Sequence, residues 1–284
     1  MLKAIGFRLM LSVALLGGGL GVAASPAGLV AAEPDDGTAC IDGWSHVSLP
    51  RKADSSRPYE IVMQDERLAW LVGAADGGAL ALRRRAKGWK SIDVAPPEIA
   101  RDAPVALLDA SMSRDGRLWA AGYLRPERGV MRPYVGRLEG ARWSERRIED
   151  PPGIRAAISG IAAKGAQRAW AVGTYLDRGR TRAYALRWDG SRWERRDPAV
   201  SARESGLAAI ASTRAGSTWA VGWSSRPSGR KRPLILKAGP DAWEQVATPK
   251  VPAGSAVLTD VVFRRDADGW ASGYLIREGS SQHQ

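Results

Sequence analysis

The chain has 284 residues with 42 Lys and Arg against 30 Asp and Glu, and it contains one cysteine. A single cysteine excludes an internal disulfide, so the fold has to depend on its core. The formal net charge of +12 favours acidic or anionic partners.

Residues 1–32 have the composition of a secretory signal peptide. Two basic residues precede an uncharged apolar run from Leu9 to Ala24, and small residues follow as far as Ala32. This order is typical of a cleaved leader, and we expect cleavage after Ala32 or Ala24. An uncleaved anchor is the alternative, because Leu9–Ala32 is long enough to span a bilayer. After cleavage we expect a secreted or periplasmic protein with no membrane span.

The remaining residues carry an internal repeat. A Trp-x-x-Gly motif starts at Trp70, Trp119, Trp170, Trp219 and Trp270. A second tryptophan recurs with a similar period at Trp44, Trp89, Trp143, Trp193 and Trp243. Regular spacing of about 50 residues indicates a repeat architecture.

The third and fourth repeats show how each unit is built. In the third repeat we predict a first strand around Ile158 and Ile161, followed by strands at 169–174, 183–188 and 193–196. In the fourth we predict strands at 207–211, 218–222, 234–237 and 243–246. No segment has a sustained helical period. The sequence therefore predicts an all-β fold, a five-bladed β-propeller of four-stranded blades.

The two ends of the repeat region are complementary half-units. The region begins with Cys40–Leu49 around Trp44 and ends with residues 256–274 around Trp270. We therefore expect the N-terminal segment to complete the last blade and close the ring. Residues 33–284 would then form one propeller domain, which we expect to be a monomer. A fragment of a longer propeller is the alternative.

Two sequence patterns resemble known propeller repeats. The hexapeptide 188–193, Trp-Asp-Gly-Ser-Arg-Trp, and the segment 268–273 resemble repeats of bacterial exported Asp-box (BNR-type) propellers, including relatives of photosystem assembly factors. Residues at four of the five fixed Asp-box positions match, while Arg214 replaces the aspartate. The layout also resembles kelch repeats, with one glycine in place of two. The resemblance implies the fold of residues 40–277 and leaves the function open.

Candidate catalytic residues are few. The two histidines, His46 and His283, have no partner pattern for a hydrolase. Asp109 and Asp260 lie near the ends of predicted first strands and could serve a glycoside hydrolase, which needs two carboxylates. The third and fourth repeats have no acid at the comparable positions. We therefore predict no catalytic residue, and solvated or turn carboxylates are the simpler interpretation.

The sequence contains no strong metal or cofactor motif. Asp266 and Asp268 before Gly269 have an alternating spacing that can hold calcium, but no further ligands follow. Phosphate-binding glycine loops and zinc patterns are absent from the sequence. We expect no cofactor and no metal.

Positive charge is concentrated in three equivalent loops of units two, three and four, at 124–133, 176–182 and 224–233. Their basic residues are Arg125, Arg128, Arg132, Arg178, Arg180, Arg182, Arg226, Arg230, Lys231 and Arg232. Aromatic residues stand at the loop bases, at Tyr123, Tyr175 and Trp223. Arginine provides a planar fork for carboxylate or phosphate, and aromatic rings provide stacking surfaces. We predict that these residues form a ligand-binding face.

The leading hypothesis is a non-catalytic exported propeller that binds an acidic protein or an anionic glycan or envelope polymer. Nucleic acid is a weaker option, because no sequence-specific motif accompanies the charge. The alternative hypothesis is a carbohydrate-binding lectin or glycoside hydrolase that uses the axial cavity.

Overall fold

The computed structural model describes residues 7–12, 47, 49–50, 55–76, 78–94, 103–125, 130–139, 142–146, 148–149, 151, 153–251 and 254–277. Every regular element within these residues is a β-strand. No helix in this part of the chain is long and apolar enough to cross a membrane.

Four sheets follow the repeat units in order, each with its strands in chain order. The first contains β2 (Ser56–Met63), β3 (Ala69–Ala75), β4 (Gly78–Arg85) and β5 (Gly88–Ser91). The second contains β6 (Val105–Met112), β7 (Leu118–Leu124), β8 (Arg132–Glu139) and β9 (Arg142–Glu145). The third contains β10 (Ile154–Gly165), β11 (Arg168–Asp177), β12 (Arg180–Trp188) and β13 (Trp193–Arg195). The fourth contains β14 (Ser205–Ser212), β15 (Thr218–Ser225), β16 (Lys231–Ala238) and β17 (Trp243–Val246).

The fifth sheet has three strands in the described part of the chain. Its strands β18 (Ser255–Arg265) and β19 (Asp268–Ile276) are antiparallel, and β1 (Phe7–Ser12) pairs with β19 in parallel. β1 belongs to the predicted signal peptide. The segment expected to complete this sheet, Cys40–Leu49, lies almost wholly outside the described residues, so closure by that segment stays a prediction.

The first strand of each sheet lies at the centre of the molecule. β2 contacts β6, β6 contacts β10, β10 contacts β14, and β14 contacts β18. The fourth strands β5, β9, β13 and β17 form the opposite edges of their sheets. This arrangement of four-stranded sheets around a common centre is that of a β-propeller.

The glycine of each Trp-x-x-Gly motif lies against a β-bulge in the first strand. In the second sheet the register shifts between Leu107 and Asp109, and Gly122 pairs with Leu107. A Cβ atom on Gly122 would overlap the carbonyl oxygen of Ala106. The same overlap recurs at the motif glycines of the other four sheets, Gly73, Gly173, Gly222 and Gly273. The motif therefore requires glycine because two backbones approach closely at a bulge.

The two tryptophan series meet between neighbouring sheets. Trp119 of the second sheet packs edge-on against Trp193 of the third, with ring centroids 5.6 Å apart. Trp170 of the third packs likewise against Trp243 of the fourth, at 4.9 Å. Such large rings contribute extensive apolar contact between adjacent sheets.

The turn at residues 213–217 in the fourth sheet is contacted by three other sheets. Arg114 of the second sheet donates to the carbonyl oxygen of Arg214. Lys164 of the third donates to the carbonyl oxygen of Gly216. Asp266 of the fifth accepts the N–H of Ala215 at 2.6 Å. This turn therefore connects four sheets at the end of the molecule where first strands lead into second strands.

Candidate functional site

The three charged loops emerge at one end of the molecule, as the repeat predicts. They connect β7 to β8, β11 to β12, and β15 to β16. Because the strands of each sheet are antiparallel neighbours, the links from one sheet to the next emerge at the same end. We call the surface that these connections form in sheets two to four the arginine face.

The second sheet contributes two exposed arginines to the arginine face. Arg125 follows β7, and its guanidinium lies 5.8 Å from the ring centroid of half-buried Tyr123. Arg132 begins β8 and is exposed. Arg128 lies outside the described residues.

The third sheet has a tight hairpin where the sequence predicts a longer loop at 176–182. β11 extends to Asp177 and β12 starts at Arg180, so only Arg178 and Gly179 form the turn. Both have positive φ, 46° and 74°, which is the backbone of the two-residue hairpin turns that fit twisted strands. Arg178 and Arg180 are exposed, whereas Arg182 is half-buried within the strand.

Tyr175 does not fit the stacking role predicted for it. Its ring is 8% exposed and packs against Tyr184 with centroids 5.9 Å apart. Its hydroxyl accepts a hydrogen bond from Arg195 at 3.0 Å. The sequence places Tyr175 at a loop base, but extension of β11 to Asp177 carries its side chain into the core.

The fourth sheet contributes the densest group of basic residues to the arginine face. Arg226 and Arg230 are exposed in the β15–β16 connection, and Lys231 and Arg232 begin β16. The ammonium of Lys231 lies 4.1 Å from the ring centroid of half-buried Trp223, a favourable cation–π contact. Trp223 pairs with Gly206 in the neighbouring strand.

A cleft of about 710 Å³ opens on the arginine face beside this connection. Arg226 and Arg232 line it, together with Arg203 from the link into β14 and Lys250 from the link after β17. No acidic residue lines the cleft in the part of the chain that the structure describes. Arg203 and Lys250 were not predicted from the sequence, although their position in links between sheets indicates the same end of the molecule.

These four cations lack the counter-charges found elsewhere. Arg203, Arg226, Arg232 and Lys250 form no ion pair with any described residue. Some exposed arginines on other surfaces do form ion pairs, for example Arg192 with Glu194 and Arg264 with Asp268. Uncompensated cations in a concave surface concentrate positive potential and attract anions.

A second group of functional candidates lies at the centre, on the first strands. Asp109 and Asp260 occupy equivalent positions just after the β-bulge, and Glu60 of the first sheet occupies the same position. Glu60 was not predicted from the sequence. The third and fourth sheets have Gly160 and Ala209 there.

The carboxylate of Asp109 accepts hydrogen bonds from two backbone N–H groups. Its Oδ1 accepts the N–H of Ala110 at 2.8 Å, and its Oδ2 accepts the N–H of Ile161 in the third sheet at 2.6 Å. Asp260 accepts the N–H of Val261 in the same way, at 2.7 Å. These carboxylates therefore satisfy N–H groups next to the bulges, which is a structural role.

Burial raises the pKa of Asp109 to about 7, against the lowering effect of the Ile161 N–H, and the nearby charges of Glu60 and Asp260 raise it further. Burial also raises the pKa of Glu60, to which the charge of Asp260 adds. The charges of Glu60 and Asp260 are thus close enough to act on the carboxyl group of Asp109.

The pair considered for calcium has other partners. Asp266 accepts the N–H of Ala215, which holds its pKa below the usual range, and Asp268 pairs with Arg264 at 3.0 Å. Among the described residues there is no group of three or more His, Cys, Asp or Glu that could hold a metal ion.

Comparison with solved structures found several proteins that share limited similarity with this chain. YCF48 from Cyanidioschyzon merolae is 19% identical over 75% of this chain and 62% of that chain, with a TM-score of 0.44. A protein of unknown function from Dyadobacter fermentans is 15% identical over 75% and 76%, also at 0.44. TolB from Acinetobacter baumannii is 11% identical over 70% and 48%, at 0.39. This chain therefore spans about three fifths of the YCF48 chain.

No family model and no curated protein matches the sequence. The Asp-box and kelch likenesses consequently stay predictions.

Proposed function

We infer that this protein is a non-catalytic, extracytoplasmic β-propeller that binds an acidic protein or an anionic envelope polymer through its arginine face. The observation that supports this function is the 710 Å³ cleft with four cations and no acidic lining residue among those described. The exposed arginines of sheets two and three extend the positive surface beyond the cleft. The predicted signal peptide at residues 1–32 supports the compartment.

Binding to two immobilised polyanions, polyglutamate and polygalacturonate, tests this function. Arg226→Glu combined with Arg230→Glu changes two exposed cations of the arginine face. Arg84→Glu combined with Arg85→Glu is the matched control, because both residues are exposed at the far end of β4. We expect the first pair to reduce affinity at least 10-fold and the control pair to reduce it less than 2-fold.

The salt dependence gives a second readout of the same function. Because the Debye length falls from about 10 Å at 0.1 M salt to about 3 Å at 1 M, wild-type binding should weaken steeply over this range. Equal losses for the two charge-reversed pairs would mean that the protein is merely basic, and the arginine face would not be a site.

The proposed architecture is a five-bladed ring that residues 40–49 close. In the described sheets, the Trp-x-x-Gly tryptophan of one unit packs with the second tryptophan of the next, as in Trp119 with Trp193. By the same rule Trp219 of the fourth sheet would pack with Trp44. The first and last sheets also leave apolar side chains exposed, including Ile61 at 51% and Val262 at 57%, whereas the equivalent residues of the third sheet, Ile161 and Ala162, are buried.

The closure proposal is tested by Trp44→Ala, for which Trp223→Ala is the control. If residues 40–49 close the ring, loss of Trp44 should lower the melting temperature by several degrees, since a large apolar contact is removed. A melting temperature unchanged from that of wild type would contradict closure by this segment.

A second candidate function is a lectin or glycoside hydrolase, for which the central carboxylates Glu60, Asp109 and Asp260 are the specific observation. Asp109 already accepts two backbone N–H groups, which is why binding at the arginine face ranks first. This ranking of the two functions would be reversed if the wild-type protein hydrolysed oligosaccharides and Asp109→Asn abolished that activity without loss of the fold.

A further inference from the structure

A second basic pocket lies at the end of the molecule opposite the arginine face. It has a volume of about 130 Å³ and lies between the third and fourth sheets. Its walls include Lys164 at the end of β10, Arg168 at the start of β11, and Arg187 near the end of β12. The 213–217 turn contributes Gly216, and Pro240 after β16 completes the opening.

The pocket gathers like charges without a counter-charge. No acidic residue lines it in the described part of the chain, and neither Arg168 nor Arg187 forms an ion pair there. Burial lowers the pKa of Lys164, and the positive charges of Arg168, Arg114 and Arg187 lower it further. Cations held together in this way repel one another, and an anion between them would remove the repulsion.

The fold fixes two of these cations in place. Lys164 donates to the carbonyl oxygen of Gly216, which anchors its ammonium at the pocket wall. Arg187 lies across the strand pair from Trp170, and its guanidinium is 5.9 Å from that ring. Arg168 is exposed beside them. Preorganised cations lose little conformational entropy when a ligand binds.

We propose that this pocket binds a tetrahedral oxyanion, phosphate or sulfate, through Lys164, Arg168 and Arg187. The volume of about 130 Å³ suits a small anion. Arginine forks and a lysine ammonium are the side chains that bind such anions best. The site is independent of the arginine face, since it lies at the other end of the sheets.

Titration of the full chain with inorganic phosphate, followed by calorimetry at constant ionic strength set with sodium chloride, tests the proposal. We expect saturable binding of one anion per chain. Arg168→Gln and Arg187→Gln should each weaken it at least 5-fold, and Arg84→Gln, which removes an exposed cation of the first sheet, less than 2-fold. Arg168 is exposed, so its variant keeps the test valid even if Arg187→Gln impairs folding.

Two further titrations separate the sources of the anion. Sodium sulfate reports on a free oxyanion, and glycerol 3-phosphate reports on a phosphate group carried by a larger molecule. Binding of any of the three that depends on Arg168 supports the site and identifies its ligand. The proposal would be overturned if Arg84→Gln reduced the heat of binding as much as Arg168→Gln does. It would also be overturned if none of the three anions bound.

Discussion

We predict that Asp109 causes the stability of this protein to fall as the pH rises from acid to neutral. Its carboxylate is buried between the second and third sheets and accepts the N–H groups of Ala110 and Ile161. Burial raises its pKa from 3.8 to about 7. The folded state therefore holds this proton more tightly than the unfolded chain, and the stabilisation is complete below pH 3.8 and lost as the pH rises through 7.

The magnitude follows from the size of this pKa change. Each pKa unit corresponds to about 1.36 kcal/mol, so a rise of about three units corresponds to about 4 kcal/mol over the full range. Between pH 5 and pH 8 the same linkage relation gives a loss of about 2.5 kcal/mol in the free energy of unfolding. Glu60, whose pKa burial also raises, contributes in the same direction.

Urea denaturation of wild type and Asp109→Asn at pH 5 and pH 8, followed by tryptophan fluorescence, measures this effect. Asparagine removes the titrating group but presents one acceptor oxygen to two N–H groups, so its absolute stability is not the readout. The readout is the difference in the free energy of unfolding between pH 5 and pH 8. This difference should be about 2.5 kcal/mol smaller in the variant. An equal pH difference in both proteins would refute this account of Asp109.

Four other substitutions, in two pairs of test and control, test the repeat architecture. Trp219→Ala should lower the free energy of unfolding by about 3 to 5 kcal/mol, because the ring is 2% exposed in the core. Trp223→Ala should lower it by less than half as much. Equal losses in urea denaturation would contradict the assignment of Trp219 to the core. Gly122→Ala should cost about 3 kcal/mol, since the added methyl overlaps the bulge of the first strand, as in other overpacked sites. Gly165→Ala, which meets open space, should change the melting temperature little, and a comparable loss there would exclude the bulge as the cause.

The repeat allowed the fold to be predicted from the sequence. Tryptophan and glycine recur at positions that the bulge and the sheet interfaces require, so the strand order of the third and fourth units is confirmed. The strand ends were less predictable. The Arg178-Gly179 turn has no strong hairpin signature, and the charged residues around it favoured a longer loop.

The candidate site was predicted only in part. The charged connections of sheets two to four could be located from the repeat, but the cleft also needs Arg203 and Lys250, which belong to links of irregular sequence. Glu60 was missed because Pro58 and Tyr59 obscure the match of β2 to the other first strands. Tyr175 was misplaced because loop-base position does not determine the side of a strand on which a ring lies.

The turn at residues 213–217 concentrates many links between the sheets in a short stretch of chain. Arg214 is exposed, so the peptide bond after it is chemically a trypsin site. A cut there would leave β14 and β15 hydrogen-bonded to each other, yet the contacts from Arg114, Lys164 and Asp266 all depend on the geometry of the severed turn. Resistance of this one bond to protease would therefore report whether the sheets are assembled, and its cleavage would be an early sign of their separation.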